Sequence, residues 1–169
     1  MKTKILAAVL ALLCLCLLVA CQENPTEQTP EGDPYSFILD GVTFTPGGSA
    51  SSVFAVWKGE APQISKKASC LGGVDGEDVT YVYSGFYIQT FRENANDPNE
   101  QIRWVVLTDD SVETTKGITI GATAQAVKDT YGEAKTETAS LLLYESGGTH
   151  LRFELRDGEV KKISYSVAE

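Results

Sequence analysis

The sequence has few of the residues from which catalytic and metal sites are most often built. It contains one histidine and four cysteines, and Cys14, Cys16 and Cys21 lie near the N-terminus, so that only Cys70 lies in the body. A lone body cysteine has no intramolecular partner, which excludes a scaffold held together by disulfides. One histidine and one body thiol also leave too few ligands for a structural zinc site. We therefore expect no metal and no other cofactor.

Positive charge is also scarce. The chain has 14 lysines and arginines against 23 aspartates and glutamates, a formal net charge of -9. The first twenty residues hold Lys2 and Lys4 but no acid, so the remainder has 12 bases against all 23 acids. Phosphate binding needs clustered lysine or arginine, so nucleic acid is not an expected partner. The same scarcity argues against a basic patch for membrane surfaces.

No set of residues matches a catalytic motif. Cys70 and His150 supply a thiol and an imidazole, which would form a nucleophilic pair if they met. The residues around Cys70 match no catalytic cysteine signature, so a structural thiol and a solvated imidazole are the simpler interpretation. The acidic run Asp75-Gly76-Glu77-Asp78 lacks the spaced carboxylates of a calcium loop and is typical of a solvated turn. The sequence predicts a protein that is not an enzyme.

The N-terminus has the pattern of an export signal. Met1 to Lys4 is a short basic start, and Ile5 to Ala20 is almost uninterrupted apolar sequence. This apolar stretch is shorter than the roughly 20 residues that span a bilayer, which indicates a signal peptide over residues 1–20. The segment ends Leu18-Val19-Ala20-Cys21, which resembles the lipobox of bacterial lipoprotein precursors. An ordinary secretory signal followed by an accidental cysteine is the alternative.

The lipobox resemblance implies a membrane anchor. In that family the thiol of the cysteine, here Cys21, receives a diacylglyceryl group, and the preceding peptide is removed. Two acyl chains hold a protein stably on a membrane. We therefore expect an exported protein, anchored through Cys21 to the extracytoplasmic face of the bacterial cell envelope. Residues 21–34 carry prolines and acids but no large apolar side chain, which predicts a disordered tether.

Two stretches of the remaining chain share an ordered pattern. Gly41-Val42-Thr43-Phe44 is matched by Gly117-Ile118-Thr119-Ile120, and a short stretch of helical periodicity follows each. The apolar pairs on these helices are Val53 with Trp57 and Val127 with Tyr131. Gly-Glu-Ala follows each helix, and Gly59 and Gly132 are the expected C-caps. The pattern predicts a diverged duplication, with a first repeat over residues 35–108 and a second over 109–169.

After each helix the sequence changes to the alternation typical of strands. The predicted strands are Val79–Tyr83, Phe86–Phe91, Ile102–Thr108, Ser140–Glu145, Thr149–Arg156 and Val160–Val167. The predicted fold class is α+β, with two diverged tandem repeats, each a short helix plus a three-stranded antiparallel meander. One repeat alone is too small to hold a core. We therefore expect residues 35–169 to form one compact unit, and the protein to be a monomer.

This arrangement resembles the β-lactamase inhibitory protein fold and the related small lipoproteins of outer-membrane assembly. Those proteins share a glycine-apolar segment, a short amphipathic helix and an antiparallel sheet, and the matching residues here run from Gly41 to Val167. The inhibitor has two such units and grips an enzyme with the aromatic face of its sheets. Its units are braced by disulfides, whereas this chain has Cys70 alone. The resemblance implies the fold, and a shared fold does not establish inhibition.

Aromatic residues are concentrated on the strands of the first repeat. Tyr81, Tyr83, Tyr87 and Trp104 are the candidate binding face, because aromatics with polar tips are the preferred anchors of protein interfaces. The alternative is that this sheet is covered on both sides, by its own helix and by the second repeat or residues 35–39. In that case the same four side chains belong to the core.

We expect the protein to act as a non-catalytic binding or scaffolding module for an envelope protein or polymer. The alternative function is inhibition of a secreted hydrolase. Inhibition would require a rigid loop that projects over the sheet, and Arg92–Glu100 and Val74–Asp78 are the candidate loops.

Overall fold

The computed structural model describes residues 35–70 and 75–168. The predicted signal peptide, Cys21 and the predicted tether lie outside these residues. Both halves of the sheet described below belong to one compact unit. Within the described residues, no helix is both long enough and apolar enough to cross a membrane.

Over residues 35–70 and 75–168 the structure is α+β, as predicted, with two helices and antiparallel sheets. The helices are α1 (Ala50–Val56) and α2 (Ala124–Tyr131). The strands, in chain order, are β1 (Phe37–Leu39), β2 (Val42–Phe44), β3 (Gln63–Ala68), β4 (Glu77–Val82), β5 (Phe86–Arg92), β6 (Gln101–Leu107), β7 (Thr136–Thr138), β8 (Leu141–Ser146), β9 (Thr149–Arg156) and β10 (Glu159–Val167). All six strands predicted from the alternation are present.

The meander after each helix has four strands and not the three that the sequence predicts. The additional strands are β3 after α1 and β7 after α2. Both are edge strands, and every residue in them is exposed. A strand exposed on both faces has no buried side and therefore no apolar alternation. The hydrophobic pattern that revealed the other strands is absent from these two.

The two meanders join into one eight-stranded sheet, in the order β3-β4-β5-β6-β10-β9-β8-β7. The join is the antiparallel pairing of β6 with β10, in which Val105 lies opposite Tyr165. Both central strands are the last strands of their meanders. The sheet therefore runs outward from its centre in the same order on both sides.

One face of the sheet carries the hydrophobic core. The helices and the β1–β2 hairpin pack on this helix side. The ring of Phe37 lies 5.4 Å from that of Phe86 and 6.0 Å from that of Tyr165, between centroids. Tyr131 of α2 packs on Phe153 of β9 at 5.5 Å. Residues 35–39 therefore help to cover the sheet, which was one of the two coverings considered for the first repeat.

The two helices end differently. Helix α2 begins at the N-cap Thr123, whose Oγ1 accepts a hydrogen bond from the Ala126 amide at 3.1 Å, and it ends at Gly132 with φ 82°. The predicted glycine C-cap is confirmed there, but its ψ of -151° differs from the left-handed helical conformation that was expected. Helix α1 ends instead at Trp57, which has extended backbone, so the prediction for Gly59 is wrong. A Cβ at Gly59 would lie 2.0 Å from the Trp57 indole, so Gly59 makes room for that ring.

Candidate functional site

The second face of the eight-stranded sheet has no helix packed against it within residues 35–70 and 75–168. Side chains on a strand alternate between faces, and directly paired residues share a face. The pairings therefore define the side chains of this face. We call it the open face, and its central residues are Tyr87, Gln89, Phe91, Trp104, Val106, His150, Arg152, Ser164 and Ser166.

The four aromatic residues predicted as one binding face lie on two different faces. Tyr81 and Tyr83 are on the helix side, because the Tyr81 ring packs on Phe54 of α1 at 4.7 Å. The Tyr83 ring packs on Trp57 at 4.8 Å and is 8 % exposed. Two of the four predicted residues are therefore part of, or flank, the core. The prediction of a single four-residue face is wrong.

Tyr87 and Trp104 lie on the open face and are half-buried. Tyr87 pairs with Val106, and Trp104 pairs with Gln89, so the two aromatics are diagonal neighbours on adjacent strands. Phe91 continues the same face along β5. These three half-buried aromatics form a patch on the first half of the sheet, on the face that no described helix covers.

Arg103 adds a positive charge to this patch. A β-bulge between β5 and β6 occurs next to this residue, since Gln89 pairs with Trp104 while Thr90 pairs with Ile102. The Arg103 guanidinium lies 5.9 Å from the centroid of the Phe91 ring, within the range of a cation–π contact. A bulge re-aims side chains, and here it places a cation beside an aromatic ring.

Small side chains lie at the centre of the open face. Ser164 and Ser166 of β10 are 2 % and 5 % exposed, because the larger side chains of the neighbouring strands rise on both sides of them. Ser166 lies opposite Trp104. A cavity of 240 Å³ opens beside Ser166, where β6 begins and β10 ends, and its lining includes Phe91, Arg103, Trp104 and Ser166 together with Gly47 and Val167. This end of the face therefore has a hollow beside an indole ring.

The second half of the open face combines charged side chains with the half-buried Leu141 and Leu143 of β8. His150 Nε2 lies 2.7 Å from Glu145 Oε2, and Lys135 Nζ donates to the same carboxylate. These hydrogen bonds, from Lys135 and then from His150, lower the pKa of Glu145. Glu154 accepts from Lys162 Nζ at 3.2 Å. These two carboxylates, and Glu159, which accepts from Lys161, are therefore already held by cations.

A second hollow lies on the helix side. It has a volume of 460 Å³ and lies where α1 ends against β4, lined in part by Phe54, Trp57, Tyr81 and Tyr83. The Tyr81 hydroxyl donates to Glu100 at 2.9 Å. Burial, and then the nearby charge of Glu60, raises the pKa of Tyr83 to about 12. These tyrosines remain neutral at physiological pH.

The structure does not bring Cys70 and His150 together. Cys70 is exposed and follows the edge strand β3, whereas His150 lies on β9. Five strand spacings separate these two strands in the sheet, which is roughly 24 Å at about 4.8 Å each. The thiol–imidazole pair is therefore not formed. In the part of the chain that the structure describes, no three histidine, cysteine, aspartate or glutamate residues are grouped so that they could hold a metal.

Some residues of the open face were not predicted as part of a site. Phe91, Arg152 and the two serines of β10 belong to it by pairing. The alternation of side chains along β5, β9 and β10 contains the signal that these residues share one face. Comparison with known proteins finds no matching family model, no similar curated protein and no similar solved structure.

Proposed function

We propose that this chain is a lipid-anchored extracytoplasmic protein that binds another protein through the open face of its sheet, without catalysis. The observation that carries the proposal is the patch of Tyr87, Phe91 and Trp104, half-buried and uncovered by the helices, beside a 240 Å³ hollow. Large rigid aromatics next to a pocket are typical of the residues that dominate binding energies.

The mixture of side chains supports a protein as the partner. Aromatic residues and arginine are enriched at protein interfaces, and the open face combines three aromatics with Arg103 and Arg152. The charged half would contribute polar contacts around them. A wall polymer that stacks a sugar ring on Trp104 is the alternative partner. The experiment below distinguishes a protein from a polymer.

The anchor and the absence of catalysis are parts of the same proposal. The lipobox at Leu18-Val19-Ala20-Cys21 supports attachment to the envelope through lipid on Cys21. The distance between Cys70 and His150 supports a non-catalytic role, because it removes the thiol–imidazole pair considered from the sequence.

We also propose that the two halves are diverged copies of one unit, now of a helix and four strands. The same order of elements follows β2 and the Gly117–Ile120 segment, and the halves meet symmetrically at β6 and β10. This arrangement supports the proposal that the chain shares its ancestry with the β-lactamase inhibitory protein fold, which also has two such units.

Inhibition of a secreted hydrolase is the second candidate, favoured by the loop between β5 and β6. The Asn94 side chain accepts from the Asn96 amide at 3.0 Å, and the Asp97 side chain accepts from the Asn99 amide at 2.8 Å. These turns stiffen the loop, as inhibition would require. The other candidate loop begins at Val74, outside the described residues. Inhibition of a β-lactamase or peptidase by the purified protein, lost on shortening the 93–100 loop, would support this candidate.

The binding proposal is tested with a double variant, Tyr87→Ala with Trp104→Ala. A partner is captured from envelope extract with the full chain, identified, purified and titrated against each variant. We expect the double variant to weaken binding at least roughly 30-fold, since each anchor contributes about 1–2 kcal/mol or more.

The matched control removes two exposed apolar side chains elsewhere, in Val56→Ala with Ile64→Ala, which are 64 % and 56 % exposed in the wild type. This control should bind as the wild type does. Equal binding by the two double variants would refute the open face as the site, and capture of glycan alone would replace the protein partner with a polymer.

A further inference from the structure

Arg152 occupies the middle of the second half of the open face and has no ion pair within the described residues. Its Nε atom is buried and has no hydrogen-bond partner there. The residues paired with it are Ser164 on β10 and Leu143 on β8, and neither carries a charge. Buried N–H donors in native proteins almost always have an acceptor, so this group needs an explanation.

The missing partner does not reflect a shortage of acids in the chain. Glu145 is bound by Lys135 and His150, and Glu154, two residues along β9, is bound by Lys162. Arg92, a second half-buried guanidinium, does have a carboxylate, that of Glu77. In a chain with an excess of acids, the carboxylates around Arg152 are held by other cations, and the half-buried guanidinium of Arg152 makes no ion pair within the described residues.

We propose that Arg152 binds a carboxylate side chain, Asp or Glu, of the protein that docks on the open face. This inference rests on the proposed function. A guanidinium is planar and always charged, and it presents paired N–H donors that match the two oxygens of a carboxylate. The hydroxyl of Ser164 lies on the adjacent strand and adds a donor beside the guanidinium.

The spacing of the sheet also defines the neighbour of that acid in the partner. Arg152 on β9 and Trp104 on β6 are separated by β10, so the two strands are roughly 10 Å apart. Arg152 lies opposite Ser164 and Trp104 opposite Ser166, so the two positions are also offset by two residues along the strands and are roughly 12 Å apart. Side chains of an extended segment alternate between faces, so the two contacts come from residues an even number apart, and four residues cover about 13 Å. The partner segment is therefore an extended one, with an acidic side chain on Arg152 and an apolar side chain about four residues away in the hollow beside Trp104.

The test uses a phage-displayed library of random heptapeptides, selected on the full wild-type chain in detergent and on two variants. Arg152→Gln removes the proposed anchor. Arg156→Gln is the matched control, because Arg156 lies on the same strand and face, is exposed, and has no ion pair within the described residues.

We expect wild-type selections to be enriched in an acid about four residues from an apolar residue, so that both side chains face the sheet. Replacing that acid by its amide in a synthetic peptide should weaken binding to the wild type roughly 10- to 100-fold. The Arg156→Gln variant should keep the acidic preference and Arg152→Gln should lose it. The amide peptide gives the same answer without a variant, should Arg152→Gln fail to fold.

Two results would overturn the inference in different ways. Peptides selected by the wild type without acidic preference, or with a preference that Arg152→Gln retains, would mean that solvent satisfies Arg152 while the open face still binds. Failure of the wild type to enrich any peptide, or enrichment unchanged in the Tyr87→Ala, Trp104→Ala variant, would remove the proposed binding face and this inference with it.

Discussion

Removing the hydroxyl of Tyr165 is expected to stabilise the protein. Tyr165 lies at the centre of the sheet, paired with Val105 on one side and Leu151 on the other, and its side chain is fully buried. Its Oη atom has no hydrogen-bond partner within the described residues. The folded state therefore bears the desolvation of a hydroxyl without a compensating bond.

The size of the effect follows from two opposing contributions. Burying a hydroxyl without a partner costs about 1–3 kcal/mol in proteins. Tyr165→Phe removes this cost and leaves a void of one oxygen atom, whose penalty is on the order of 0.3 kcal/mol. We expect a net gain of about 1–2 kcal/mol in the free energy of unfolding, which corresponds to a rise of roughly 4–8 °C in Tm.

Tyr144→Phe is the matched control, because that residue is also buried but its hydroxyl donates to the Gly132 carbonyl at 3.1 Å. Tyr144→Phe should lower the free energy of unfolding by about 1 kcal/mol, because it removes a hydrogen bond. Urea unfolding of the wild type and both variants measures the three free energies. A loss of stability in Tyr165→Phe equal to that in Tyr144→Phe would show that Tyr165 Oη has an acceptor, and would refute the reasoning.

Alkaline pH provides a second measure of the same group. Burial raises the pKa of Tyr165 well above its usual value, so the folded state keeps the proton while the unfolded chain releases it near pH 10. The unfolded state then binds fewer protons, and stability falls as the pH rises above 10. The advantage of Tyr165→Phe over the wild type should therefore widen between pH 9 and pH 11, and should be constant below pH 9.

Further predictions concern a turn and the anchor. Gly85→Ala should lower the free energy of unfolding by about 2–4 kcal/mol, because φ is +79° and a Cβ would lie 2.4 Å from Ser111 Oγ. Gly158 has a similar φ of +78° but nothing within 4 Å of a Cβ. Gly158→Ala should therefore lower the free energy of unfolding only by the backbone strain, about 1 kcal/mol. Equal urea midpoints for these two variants would contradict the turn packing. Cys21→Ser should abolish incorporation of labelled palmitate and release the protein from the membrane fraction, while Cys70→Ser should leave both unchanged. Membrane retention of the Cys21→Ser variant would exclude the lipid anchor.

The parts of the fold that bury one face could be predicted from the sequence. In β9 the core residues Leu151, Phe153 and Leu155 alternate with charged residues, and the structure has this division. β3 and β7 have no buried face, so their sequences show no alternation of apolar and polar residues from which a strand could be predicted. Gly59 has the sequence context of a helix C-cap, but its lack of a side chain makes room for the Trp57 ring. This contact depends on tertiary packing, which the local sequence does not reveal.

The candidate site could be predicted only in part. Tyr87 and Trp104 were expected on a binding face, and the structure places both on the open face. Tyr81 and Tyr83 were wrongly assigned to the face of Tyr87 and Trp104. Which residues of β4 share a face with those of β5 depends on the register of the two strands, and the sequence does not specify that register. The free donor of Arg152 could not be predicted, because it depends on which cations bind Glu145 and Glu154 in the folded sheet.

Site-specific photocrosslinking tests the central claim, that the open face holds a protein partner, most directly. A photoreactive phenylalanine analogue replaces Tyr87 or, as the control, Ile64 on the edge strand, each in the full chain on intact cells. Position 87 should crosslink to one identifiable protein, and position 64 should not. Crosslinks to that protein from position 64 alone, or no protein crosslink from position 87, would contradict the account.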